Sequence, residues 1–216
     1  MVKVKRILEI LESEHPDARL LLEFKTPLQL LIATILAAQC TDERVNQVTT
    51  GLFKKYQKAE DYTNVSIEEL EGDIHSTGFY KNKAKNIAGC CKKIVKDFNG
   101  EAPSTLPALV SLPGVGRKTA NIVLANAFGK PAIGVDTHVY RVSNRLGLAH
   151  SNNPDKVEME LCKIIPEEKW ILTVHLLTFH GKRICKAKRP FCGQCGLFDL
   201  CEWPNKERFY GQNLLN

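Results

Sequence analysis

The sequence predicts an all-α protein. Three observations lead there. Apolar residues recur at helical spacing along nearly all of the 216 residues. No run of roughly 4–8 residues alternates apolar and polar as a half-buried strand does. Cap residues, prolines and glycines stand at the ends of the apolar stretches, where helices start and stop. About ten helices joined by short loops follow, with no repeat period and no low-complexity segment.

The elements justify themselves in order. "MVKVKRILEILESEH" is an amphipathic helix that mixes acids with bases. It lacks the continuous apolar core and cleavage site of a signal peptide. Thr26 and Pro27 are cap and first-turn residue for "LQLLIATILAA". That stretch is apolar on all sides, hence buried. It is too short to span a bilayer, which needs ~20 residues. Thr41 caps "TDERVNQVTTGLFKKY", and "SIEE" at Ser66 reads as a capping box. "NKAKNIAGCCKKIVKDFNG" is a basic helix ended by Asn99 and Gly100. After the short helix "LPALVSL" comes "PGVG", then "RKTANIVLANAFG", stopped by Gly129 and Pro131. "THVYRVSNRLG" follows Asp136, and Asn153-Pro154 opens the next helix. Pro166 separates that one from "EEKWILTVHLLTFH".

Composition bounds the function classes. With 44% hydrophobic and 25% charged residues, the chain reads as an ordinary globular protein without a membrane segment. A cytosolic protein is the expectation. The net charge of +6 is compatible with a polyanionic partner but does not demand one. Its distribution says more: "KRICKAKR", Lys182 to Arg189, holds five cations and no acid.

"PGVG" between two helices reads as a helix-hairpin-helix turn. Glycines permit positive φ and close backbone approach. The hairpin amides and the next helix start can cradle a phosphate. The alternative is a tight interhelical turn without a ligand. Arg117 and Lys118 stand where the helix dipole is positive and cations are poorly placed. Such local conflicts concentrate at functional sites. The field disfavours the ammonium form of Lys118, which makes it a candidate nucleophile for a Schiff base. The bland reading is that both cations reach phosphates or solvent. Asp136 reads as an N-cap, a role that keeps it ionised and is compatible with catalysis. His138 is expected to be a packed or hydrogen-bonded helical histidine.

Eight cysteines are present. Cys185, Cys192, Cys195 and Cys201 fall within one short segment as C-x6-C-x2-C-x5-C. In a cytosolic chain such a cluster points to metal rather than disulfides. Spacing alone leaves zinc and an iron–sulfur cluster both open, although one compact loop suits the larger group.

Together these stretches resemble the endonuclease III family of helix-hairpin-helix DNA glycosylases. "LPGVGRKTAN", "VDTHVYRVSNRLGL", "HGKRIC", "AAQCTDERVN", "STGFYKNKAKNI" and the cysteine spacing carry the resemblance over nearly the whole chain. It implies a two-domain fold: a six-helix domain with the hairpin at 22–132, and a discontinuous cluster domain at 1–21 and 133–216. The active site would lie in the cleft between them. It implies a [4Fe-4S] cluster on the four cysteines, in a loop at 185–201. It implies a monomeric, cytoplasmic, nucleoid-associated enzyme acting on duplex DNA with damaged pyrimidines or abasic sites, without a membrane partner. The implied activity is base excision followed by strand cleavage at the abasic site.

Residue by residue, the resemblance makes Lys118 the nucleophile and Asp136 its electrostatic partner. Gln39 would fill the gap left by a flipped base, and Phe79 would wedge into the stack. Read without the family, Phe79 is a buried loop anchor. Gly114, Val115, Gly116, Arg117 and Thr119 would hold the backbone, and Lys186, Lys188 and Arg189 would add phosphate contacts. Two positions depart from the family pattern. Val110 stands where some relatives carry a carboxylate, and Phe79 stands where leucine is common. The rival expectations are a monofunctional mismatch glycosylase, a non-catalytic DNA-binding module and a zinc scaffold. Lys118 argues against the first, and Lys118 together with Asp136 against the second.

Overall fold

The computed structural model describes residues 2–211. Met1 and residues 212–216, which the sequence reading assigns to the cluster domain, lie outside them. The fold is all-α: eleven α-helices and five short 3-10 turns occur among the described residues, and no strand. The helix beyond the ten expected is short, Ala59–Asn64. It carries no apolar stripe long enough to read. Asp61 starts it by accepting the amides of Gln57 and Lys58 at 2.8 and 3.0 Å.

The chain forms two compact units, residues 21–130 and residues 1–20 with 131–216. The first holds seven of the helices. In α2 (Pro27–Leu36) Thr26 accepts the amide of Gln29, and Gln29 accepts that of Lys25. Leu30, Leu31, Ile32, Ala33 and Leu36 are fully buried, so α2 is the central rod of this unit. Each fully buried Leu or Ile contributes about 1.5–3 kcal/mol. The helix α3 (Asp42–Lys55) is capped by Thr41, with acids in its first turn and lysines in its last, as the dipole favours. The short α4 (Ala59–Asn64) leads to α5 (Ile67–Ile74). Ser66 caps α5 through the amide of Glu69, but the capping box stays half-made. The Glu69 carboxylate is drawn to Lys55 at 2.8 Å instead. Next come α6 (Tyr80–Asp97), α7 (Leu106–Val110) and α8 (Arg117–Phe128).

The second unit joins the N-terminal helix α1 (Val2–Glu14) to α9 (Thr137–Leu146), α10 (Pro154–Ile164) and α11 (Trp170–Arg183). Its core shows why distant segments fold together. Ile7 and Leu11 of α1 are buried with Val139, Val142, Leu161, Leu177 and Leu197. Without those partners the apolar stripe of α1 would face water. Leu197 lies inside the cysteine loop and is fully buried, so the loop has an apolar anchor. The last long helix starts at Trp170, later than expected, after a 3-10 turn over Glu167–Lys169.

Candidate functional site

The hairpin joins α7 to α8. Gly114 has φ 76°, and a Cβ there would come within 2.7 Å of the Asn86 side chain. Glycine is required on both counts. Gly116 differs: its φ is −87° and a Cβ would meet nothing within 4 Å. Only one of the two hairpin glycines therefore uses its conformational freedom. Val115 is buried, and its amide is given to the carbonyl of Leu112 at 3.2 Å. It anchors the turn to the unit below.

Gly116 is the N-cap of α8 and supplies no side-chain cap. The amides of Lys118 and Thr119 lie in the first turn, where the helix ladder offers no acceptor. Arg117 and Lys118 are exposed, and Thr119 is half-buried. This end of α8 offers donors and cations on one surface. Val110, in place of a possible carboxylate, is exposed.

Gln39 and Phe79 share an unusual feature. Among the described residues, the non-glycine positions with positive φ are Gln39 (53°), Phe79 (49°) and Asn99 (53°). Asn99 lies at the C-terminal end of α6, where Asn-Gly was expected. The other two are strained loop residues, and strain of this kind gathers at functional sites. Phe79 is also 63% exposed, which overturns its reading as a buried loop anchor. It follows Gly78 (φ 69°) and caps α6, its carbonyl accepting the amides of Asn82 and Lys83. Lys83 holds this loop from below: its buried ammonium donates to the carbonyl of Thr77 at 2.8 Å. Lys83 was missed in the sequence. The signal was a lysine on the same stripe as Ala84, Ile87, Cys91 and Ile94.

Asp136 is the N-cap of α9. Its Oδ1 accepts the amides of His138 and Val139 at 2.8 and 2.7 Å. His138 is a packed, hydrogen-bonded residue, 3.2 Å from Arg141. Burial pushes its pKa down, opposed by the charge of Asp136.

The four cysteines of the C-terminal segment line one cavity with Arg145, His180, Phe198, Trp203 and Lys206. None is in a disulfide. Two close 3-10 turns, the Cys195 amide on Cys192 and the Cys201 amide on Phe198. Burial pushes the Cys195 thiol up to about 12, so a thiolate there needs a cation to stabilise it. Arg145 supplies positive charge, donating to Cys185 Sγ at 3.3 Å and to the carbonyls of Lys186 and Ala187 at 2.9 and 3.0 Å. Arg141, one turn earlier, donates to the carbonyls of Cys185 and Gly181. Both arginines were missed. Their i,i+4 spacing on α9 was the available signal.

A tetrahedral site around one zinc, with Zn–S near 2.3 Å, brings its sulfurs within about 3.8 Å of one another. Among the described residues, donor atoms of three residues converge within 4.8 Å at Glu14, His15 and His180, whereas the cysteine sulfurs form no such set. Four thiols lining one cavity, with Arg145 and Lys206 beside them, are a donor set that fits an iron–sulfur cluster.

The cation run divides. Arg183 makes a two-point ion pair with Asp17 at 2.8 and 2.6 Å, which holds that carboxyl down at about 2. Lys186 lies over the Phe191 ring at 4.6 Å. Lys188 and Arg189 are exposed.

A helical fold with a glycine hairpin before an exposed lysine, and a four-cysteine cavity elsewhere, defines a class. Residues 32–167 match the family model described as HhH-GPD superfamily base excision DNA repair protein, and the chain belongs to that superfamily. Endonuclease III of Synechocystis sp. is 50% identical over 201 residues, covering 92% of this chain and 91% of the relative. Endonuclease III of Escherichia coli K12 is 42% identical over 208 residues, covering 95% and 99%. A solved structure of a trapped Endonuclease III–DNA covalent intermediate superposes with a TM-score of 0.92 at 47% identity, covering 95% of this chain and 97% of that one. A non-covalent Endonuclease III–DNA complex gives 0.91 at the same identity and coverage. Within the superfamily the chain falls in the endonuclease III family. Among the described residues no helix is long and apolar enough to cross a membrane.

Proposed function

We propose that this protein is a bifunctional DNA glycosylase and abasic-site lyase that removes oxidised pyrimidines from duplex DNA. One observation carries the reading: Lys118 is exposed in the first turn of α8, directly after a hairpin whose Gly114 admits no side chain. The hairpin brings backbone close to a phosphate, and the first-turn amides and dipole hold it. The damaged base leaves the stack at a cost of roughly a few kcal/mol. Phe79, exposed and strained, wedges into the stack, and Gln39 fills the gap.

The neutral amine of Lys118 attacks the sugar C1′. The C1′–N bond to the base breaks, and its electron pair leaves on the base, which takes up a proton. Asp136 stabilises positive charge on the sugar and assists proton transfer. The C1′–O4′ bond then opens, O4′ takes a proton, and C1′ and Nζ are left as a Schiff base. Loss of a C2′ proton expels the 3′ phosphate, which cuts the strand. Lys186, Lys188 and Arg189 add sequence-independent phosphate contacts.

Cys185, Cys192, Cys195 and Cys201 hold a [4Fe-4S] cluster in this reading, supported by four thiols on one cavity and the cations beside them. When bound, the cluster would supply covalent cross-links to a loop whose fully buried anchor is Leu197. The protein acts as a monomer on DNA carrying damaged pyrimidines or abasic sites.

Borohydride trapping on duplex DNA with one thymine glycol tests substrate and chemistry together. Wild type should be captured covalently, and Lys118→Gln should lose capture while binding the DNA nearly as tightly. Undiminished capture by the variant would overturn the assignment of the nucleophile.

A further inference from the structure

A buried chain of polar groups runs from the end of α1 to one cysteine of the cavity. His15 and His180 are 3% and 1% exposed. Their rings meet edge to face, with His15 Nε2 3.1 Å from His180 Nδ1. The other nitrogen of His180, Nε2, lies 3.6 Å from Cys195 Sγ. Glu14 closes the group. Its Oε1 accepts the amide of Gly196, next to Cys195, at 2.9 Å. Its Oε2 is 3.7 Å from His180 Nδ1 and 3.9 Å from His15 Nε2, and has no hydrogen-bond partner.

The proton positions follow from the chemistry of the sulfur. A metal-bound cysteine sulfur has no proton, so it can only accept. His180 Nε2 must then carry a hydrogen. Each neutral imidazole carries one ring hydrogen. His180 Nδ1 is therefore bare and accepts from His15, whose Nε2 carries the next hydrogen. His15 Nδ1 is left bare in the interior, where it has no partner. This arrangement of hydrogens makes both the His15–His180 and the His180–Cys195 contacts hydrogen bonds.

We propose that His180 is a positioning residue for the iron–sulfur site, donating an N–H···S bond to Cys195, and that His15 locks the tautomer that makes this bond. The inference rests on the cluster reading above. Hydrogen bonds to ligand sulfur favour the more negative, reduced state and raise the reduction potential. Both rings are buried, so the donor side of this bond is shielded from water. The rival is a divalent ion held by Glu14, His15 and His180. Against it, the two ring nitrogens stand at hydrogen-bond distance, and no fourth donor joins the set among the described residues.

Film voltammetry on the iron-loaded protein tests this, after iron and zinc analysis of each preparation. His180→Leu and His15→Leu should both lower the reduction potential at full iron content, and His15→Gln, which keeps a donor, should stay near wild type. Resonance Raman of wild type should show Fe–S stretches that shift in heavy water, a sensitivity reduced in His15→Leu. If His180→Leu does not load iron, the two His15 variants decide the question. An unchanged potential in His15→Leu would overturn the proposal, as would stoichiometric zinc in wild type that His15→Leu loses. A wild-type protein without iron would instead overturn the cluster reading, and iron analysis alone shows it.

Discussion

The guanidinium of Arg145 lies 3.8 Å from the centre of the Trp203 ring. The same side chain donates to Cys185 Sγ and two loop carbonyls, and its backbone carbonyl accepts the amide of Glu202 at 3.0 Å. One residue of α9 thus ties the two ends of the cysteine segment together. A planar fork both stacks and forms paired hydrogen bonds, which an ammonium cannot do. Arg145→Lys should therefore behave almost as a deletion. We expect a loss of about 2 kcal/mol from hydrogen bonds to a charged group, or roughly 4–8 °C in Tm for a chain of this size. Thermal melting together with iron content measures it. A variant that melts with wild type would show that the loop does not depend on Arg145.

Phe79 separates stability from function. Its left-handed backbone costs about 1–3 kcal/mol for a bulky residue, and its ring is exposed. Phe79→Gly relieves that strain while removing the wedge. The variant should melt at or above the wild-type temperature. It should excise a base-paired lesion tenfold or more slowly, on the order of a few kcal/mol of lost unstacking. Cleavage of a preformed abasic site should change little. Equal slowing on both substrates would remove the wedge role.

Asp136 has a structural duty that asparagine can perform. The Oδ1 cap on α9 needs an acceptor, and Asn is as good an N-cap as Asp. Asp136→Asn should keep the melting temperature and slow excision by orders of magnitude. Asp136→Ala should do both, losing about 1 kcal/mol of stability as well. If Asp136→Asn stays fully active, the residue is only a cap.

The basic run is narrower in space than in sequence. Arg183 is committed to Asp17, so it contributes less to DNA than its neighbours. Lys186→Ala with Lys188→Ala should flatten the dependence of log affinity on log salt by up to about 0.9 for each phosphate no longer neutralised. Binding to damaged and undamaged DNA should weaken alike, and single-turnover excision at saturating enzyme should hold. An unchanged slope would place these lysines in solvent only.

Local rules explain much of what was legible beforehand. Thr26, Thr41, Ser66, Asp136 and Asn153 all cap the helices they precede, because a cap acts on amides two or three residues away. The apolar run of α2 was readable as a buried rod for the same reason: it is apolar on every side. The short α4 was not legible, since its start depends on Asp61 reaching back rather than on periodicity.

The sequence by itself determined the all-α class, the helix boundaries set by caps, and the segment in which four cysteines could meet. Those are consequences of spacing within one stretch of chain. Only the tertiary structure decided that Phe79 is exposed, that Lys83 is buried beneath its loop, and that Arg183 answers Asp17. It also set Arg145 and His180 beside the cysteines, and brought His15 to His180 across most of the chain length. Burial and pairing between distant residues depend on how helices pack. A ring or a cation reads the same in the sequence whether it will face water or another helix.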